Sequence, residues 1–139
     1  MRTLVPLIAI ALLVAGCGVT IGEASVATSV PTPPAAGSSD AERGHEIFTH
    51  GKNDAPPCST CHRIASGGYG FSLGPNLVGI AERAGTRVEG LAAQDYIRQS
   101  ILNPHAFVVP GYRDIMYPDF GKHLTDQDVN DLIAFLLTL

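Results

Sequence analysis

The 139-residue chain contains no tryptophan, and aromatic residues make up only 6% of it, so the bulky material for a large core is missing. Charge is scarce as well. Charged residues are 16% of the chain, nine basic against 13 acidic, for a net charge of −4. That balance removes the electrostatic case for a nucleic-acid partner, which calls for a basic surface. Three cysteines are few and odd in number, which fits poorly with a disulfide-stapled secreted scaffold. No stretch alternates apolar and polar residues long enough to make a strand, and the length argues against two domains. What remains is a single small all-α domain, preceded by segments of different composition.

The first of these segments is an address. Arg2 is followed by an apolar run from Leu4 to Val14, broken only by Pro6, that ends in Val14-Ala15-Gly16-Cys17. The run is shorter than the ~20 apolar residues a spanning helix needs. With small residues before a cleavage point, it reads as an export signal over residues 1–16. The Val-Ala-Gly-Cys run resembles a bacterial lipobox, in which Cys17 becomes the lipidated first residue after cleavage. The alternatives are an ordinary export signal that happens to contain a cysteine, and an uncleaved anchor. Each version places the domain outside the cytoplasm. Cleavage before Cys17 removes Arg2, making the balance one unit more acidic, and removes Met1, leaving Met116 as the one methionine.

Residues 17–39 read as a tether. From residue 18 to 39, 17 of the 22 residues are Gly, Ala, Ser, Thr or Pro, and Glu23 is the sole charge. Such a stretch cannot bury enough apolar surface to offset its ordering entropy. As a flexible coil it spans on the order of 25 Å. The folded domain is expected over residues 40–139, with three main helices. Ser39-Asp40-Ala41-Glu42 reads as a capping box opening a helix through about Thr49, with Gly44, Ile47 and Phe48 on one side. A second helix is expected from about Ala92 to Leu102, with an apolar face of Tyr96, Ile97 and Ile101, ended by Asn103-Pro104. In the third, Thr125 is the N-cap, Asp126 and Asp128 lie in the first turn, and Leu124 can staple against Val129. Val129, Leu132, Ile133 and Leu136 then keep helical spacing. The intervening loops, 63–79 and 103–121, are too long for a bare bundle and need something to pack on.

Cys58-Ser59-Thr60-Cys61-His62 supplies it. C-x-x-C-H is the c-type haem attachment pattern: two thiols can form thioethers to the vinyl groups on one haem edge, and the next residue offers an imidazole to the iron. A zinc site would need closing ligands, and beyond Cys17 there is no further cysteine. A thioredoxin-like redox pair would need a βαβ pattern. A structural disulfide between residues three apart would be strained and leave His62 unexplained. For the opposite face of the iron, low-spin electron-transfer haems take Met or His. Met116 lies 54 residues beyond His62, in a stretch poorly suited to helix or strand. His105 is its best rival, followed by His123, His45 and His50, and an open site is a further alternative.

With these residues in place, the chain resembles a class I monohaem cytochrome c over residues 40–139. The small cytochrome c fold this implies is all-α, three main helices and long loops wrapped around one covalent haem c. Gly44 and Phe48 are similar to first-helix positions that cross the terminal helix in that family, with Phe135 as their partner. Gly74-Pro75-Asn76-Leu77 is similar to the loop in which the proline carbonyl accepts a hydrogen bond from the proximal histidine, pairing Pro75 with His62. Arg83 matches an arginine that in relatives lies near a haem propionate, with an ordinary solvated arginine as the alternative. Tyr96-Ile97 through Asn103-Pro104, Val109-Pro110-Gly111-Tyr112 and Met116 look closest to cytochrome c subunits of bacterial respiratory complexes, either alternative complex III or oxidase-linked. Two departures stand out. Tyr117 intervenes between Met116 and Pro118, where relatives carry Pro directly, and an insert runs from Thr49 to Pro57.

The resemblance implies a membrane-anchored electron carrier, or a fixed monohaem subunit, that exchanges electrons with redox partner proteins. It implies no catalytic residues of its own and no small-molecule substrate. A haem enzyme or gas sensor, requiring an open sixth site, and a structural haem subunit remain as other function classes.

Overall fold

The computed structural model describes residues 38–65 and 72–139. The signal and tether readings at residues 1–16 and 17–37, including Cys17, lie outside the described residues. Among the described residues five α-helices follow in order: α1 (Ser38–His50), α2 (Ile80–Ala84), α3 (Ala93–Leu102), α4 (Phe120–His123) and α5 (Asp126–Leu136). Single 3-10 turns lie at Cys58–Thr60 and Pro104–Ala106. Among the described residues there is no strand, only an isolated bridge between Lys52 and Ala55. No described helix is long and apolar enough to cross a membrane.

α1 opens at Ser38, so Ser39 is already helical rather than the cap. Ser38, Ser39 and Asp40 are three cap-type residues in succession, and pattern alone does not choose among them. The helix also claims two residues from the segment read as tether. Its inward face is Gly44, Ile47 and Phe48, all buried. A Cβ on Gly44 would lie 2.0 Å from the Asp131 carbonyl oxygen and 2.8 Å from the Phe135 Cβ. The crossing of α1 and α5 therefore admits only hydrogen at this position. The Phe48 and Phe135 rings meet beside it with centroids 5.5 Å apart, in the tilted geometry aromatic pairs favour. At the same crossing the Arg43 guanidinium donates Nε–H to Asp131 Oδ2 at 2.8 Å and Nη2–H to Oδ1 at 3.1 Å. Asp131 is 2% exposed, so its charge is buried with a two-pronged partner and a further bond from Gln127 Nε2 at 2.8 Å.

α5 begins as the sequence suggests. Thr125 Oγ1 accepts the Asp128 N–H at 3.2 Å, and Asp128 Oδ2 accepts the Thr125 N–H at 2.9 Å, closing a reciprocal capping box. Leu124 and Val129 are buried in the same core, as a staple requires. The stripe Val129, Leu132, Ile133 and Leu136 is buried, but so are Asp131, Ala134 and Phe135. Burial extends beyond one stripe because α5 serves two neighbours: α1 crosses it at Asp131 and Phe135, and Leu132 and Leu136 line a cavity. α3 runs from the expected start and buries Tyr96, Ile97 and Ile101. α2 and α4, of five and four residues, were not foreseen. They are too short to carry a helical period.

Lys52, in the insert, places Nζ 2.5 Å from Asp128 Oδ1. Burial pushes the Asp128 carboxyl up, but the hydrogen bonds from Lys52 and from the Thr125 N–H and hydroxyl outweigh it and hold the group below its ordinary value. A carboxyl so held adds stability above the unfolded-state value of about 4, and that stability is lost as pH falls through the folded value. Asp128→Asn is therefore expected to cost about 1–2 kcal/mol at neutral pH. Thermal unfolding followed by circular dichroism should show wild type and variant converging as the solution is acidified.

Candidate cofactor site

The C-x-x-C-H segment winds into a 3-10 turn because its amides bond backward. The Cys61 and His62 N–H groups both donate to the Cys58 carbonyl, at 3.1 and 2.9 Å. The turn packs on α1, whereas α2 packs on α3. Cys58 and Cys61 are free thiols that line a cavity together with His62. The cavity has a volume of about 210 Å³, and its lining is mostly apolar. Phe48 of α1, Tyr96, Ile97 and Ile101 of α3, Leu132 and Leu136 of α5, and Met116 and Tyr117 of the loop before α4 all line it.

His62 is fixed from behind. Its Nδ1 lies 2.9 Å from the Pro75 carbonyl oxygen, which leaves Nε2 as the free ring nitrogen. Burial lowers the His62 pKa, and the Pro75 carbonyl opposes this only in part. The neutral imidazole, the form that ligates a metal, is favoured. The loop that carries Pro75 lies against the ring so closely that a Cβ on Gly74 would come within 2.4 Å of His62 Cε1. Several bonds hold the loop there. The Gly74 N–H donates to Cys61 O at 3.0 Å, the Leu77 N–H donates to Arg63 O at 2.7 Å, and the Ser72 hydroxyl sits 2.6 Å from the carbonyls of both Cys61 and Gly74. Arg83 donates Nη2–H to Asn76 O at 2.9 Å and Nη1–H to Val78 O. Its guanidinium thus clamps the loop behind His62 while the side chain lines the cavity.

Burial pushes the Cys58 thiol up to about 11, with a smaller opposing backbone hydrogen bond. A half-buried thiol held in its protonated form is unlike the thiolate of a reactive redox pair, which sits in electropositive surroundings.

The structure brings Cys58, Cys61, His62, Pro75, Arg83 and Met116 to one cavity. The rival histidines go elsewhere. His105 Nδ1 is 2.7 Å from Asp114 Oδ1 on an exposed loop, His50 pairs with Glu46, His45 packs its ring on Phe135, and His123 meets Tyr117. Among the described residues, His62 is the one histidine on the cavity wall. Sequence reasoning missed the Ser72 hydroxyl, and it missed Phe107 and Phe120 as wall residues. Both aromatics lie where no period marks a buried face; their size and apolarity were the only signals.

An all-helical domain with paired thiols, an oriented imidazole and an apolar cleft is, by class, a c-type haem protein. The cytochrome c family model matches residues 41–139. Cytochrome c of Stellaria longipes is 30% identical over 109 residues, covering 70% of this chain and 90% of that protein. The chain belongs to the cytochrome c family. It is a haem-based electron-transfer protein that carries a covalently bound haem c, for which Cys58 and Cys61 can form the attachment motif. The residues fit that group: two thiols at attachment spacing, a neutral imidazole beside them and an apolar space in front.

Gly74→Ala is expected to push the loop off the His62 ring. The cost is about 1–3 kcal/mol in urea unfolding, and visible circular dichroism of the haem-loaded protein should change in shape.

Proposed function

We propose that this electron-transfer protein is held at the periplasmic side of a bacterial cell membrane by lipid on Cys17. There it works as a one-electron carrier, or as the monohaem subunit of a membrane electron-transfer complex, with His62 and Met116 as the residues that would ligate its iron. The observation that carries this reading is the pairing of His62 and Met116 on the walls of one apolar cavity from which the other described histidines are absent. When bound, haem c supplies reversible one-electron exchange between Fe(II) and Fe(III). His62 offers a neutral imidazole whose orientation is set by Pro75, and Met116 offers a thioether, a ligand that raises the potential. Phe48, Tyr96, Leu132 and the other apolar walls exclude water and disfavour added charge.

Cys58 and Cys61 are half-buried, which keeps the attachment edge near the surface as the exit for electrons. The acidic balance suits a redox partner with a neutral or basic docking face. A tether makes the encounter effectively intramolecular, so weak docking suffices. The run from Tyr96 to Pro104, with Val109–Tyr112 and Met116, supports a place among subunits of respiratory complexes of the alternative complex III or oxidase-linked kind.

Two measurements test the reading. The oxidised protein should show a weak far-red iron–thioether band, and the reduced protein should not respond to carbon monoxide. Met116→Ala should lose the band and bind carbon monoxide promptly, whereas a prompt response in the wild type overturns the carrier reading. Cys17→Ser, expressed in a bacterial host with its leader intact, should move the protein from the membrane to the soluble periplasmic fraction.

A further inference from the structure

The segment from Val108 to Pro118 carries Met116 past the cavity with little regular structure of its own. Its internal backbone bonds are local, from the Tyr112 N–H to Val109 O and from the Ile115 N–H to Arg113 O. Among the described residues, two hydrogen bonds tie it to the rest of the molecule. One joins Asp114 to His105 between side chains that are each about half exposed (49% and 51%), where water competes. The other is partly buried: the Tyr117 hydroxyl lies 2.9 Å from His123 Nε2.

Tyr117 is the residue directly after Met116 and lines the same cavity. Its ring stands edge-on to Phe120 at 5.1 Å, so the phenol is held in direction as well as at its tip. The other half of the contact is braced in turn. The His123 carbonyl accepts the Asn53 Nδ2–H at 2.8 Å, and Asn53 sits in the insert with a positive φ of 47°. The neighbouring insert residue, Lys52, is anchored on Asp128 at the start of α5. The two departures from the family pattern, Tyr117 in place of proline and the insert 49–57, thus meet at His123. Proline restrains a loop through its own ring. Here a hydroxyl–imidazole bond, backed by the insert, takes over that restraint.

We propose that Tyr117 and His123 form a latch that positions Met116 at the cavity, with Asn53 as its brace. Both are positioning residues: neither side chain replaces Met116, and each acts by limiting the excursions of the loop. The inference rests on Met116 being the axial ligand and adds what keeps it there.

The test uses the oxidised, haem-loaded protein and added imidazole, which competes for the position assigned to Met116. Loss of one partly buried hydrogen bond should raise the apparent imidazole affinity of Tyr117→Phe about three- to tenfold. His123→Leu should do the same, and the double variant should go no further than either single one, because both remove the same contact. Tyr117→Phe keeps the ring against Phe120, so its far-ultraviolet thermal unfolding should move little while its imidazole affinity changes. Unchanged affinity in both single variants, or effects that add in the double variant, overturns the latch and leaves Met116 ligation standing. Absence of the far-red band in the wild type overturns both.

Discussion

The close crossing of α1 and α5 at Gly44 is the constraint on which the rest of the structure depends. With no side chain on Gly44, the backbone of α1 rests against the Asp131 carbonyl. That approach lets the Phe48 and Phe135 rings meet at a tilt and brings Arg43 within bonding distance of a buried carboxylate. It also sets the orientation of α5, since the face not taken by α1 carries Leu132 and Leu136 to the cavity. Phe48 reaches that cavity from α1. Two helices from opposite ends of the domain thereby make one wall, and the C-x-x-C-H turn packs on α1 beside it.

Behind His62 the chain uses backbone atoms rather than side-chain bulk. The Pro75 carbonyl accepts from the ring, Gly74 leaves space for it, and Arg83 holds the following carbonyls. Each element is weak alone, but they share one loop, and displacing any part moves the acceptor that orients the imidazole. The cavity lining is mostly apolar, with Arg83 among its few charged members, so polar groups are sparse where the cofactor fits. This lining suits a site that must bind one group permanently and exchange only electrons.

Much of this was legible in the sequence because it rests on local signals. The capping box at Thr125 and the periodic stripe of α5 are encoded within a few residues of one another, and so is the C-x-x-C-H spacing. The start of α1 was misplaced by two residues because three consecutive cap-type residues offer equivalent starts. α2 and α4 escaped notice because one turn of helix is stabilised by what it packs on rather than by its own pattern. The burial of Asp131 was illegible for a related reason: its partner Arg43 lies 88 residues away, and nothing near Asp131 marks it as an inward position. Arg83 was read toward the cofactor, yet its guanidinium bonds the backbone at Asn76 and Val78, a contact visible only once the loop has folded back.

The two sides of the cavity are drawn from very different distances along the chain. The Pro75 carbonyl stands 13 residues from the imidazole it orients, whereas Met116 comes 54 residues after His62. Loop-closure entropy grows with that separation, so the His62 side assembles from near neighbours while the Met116 side waits for most of the domain to be in place. The same asymmetry operates in reverse. When the native state loosens locally, the segment with the fewest long-range ties yields first. The ligand contributed from far along the chain is therefore the last part of the site to arrive.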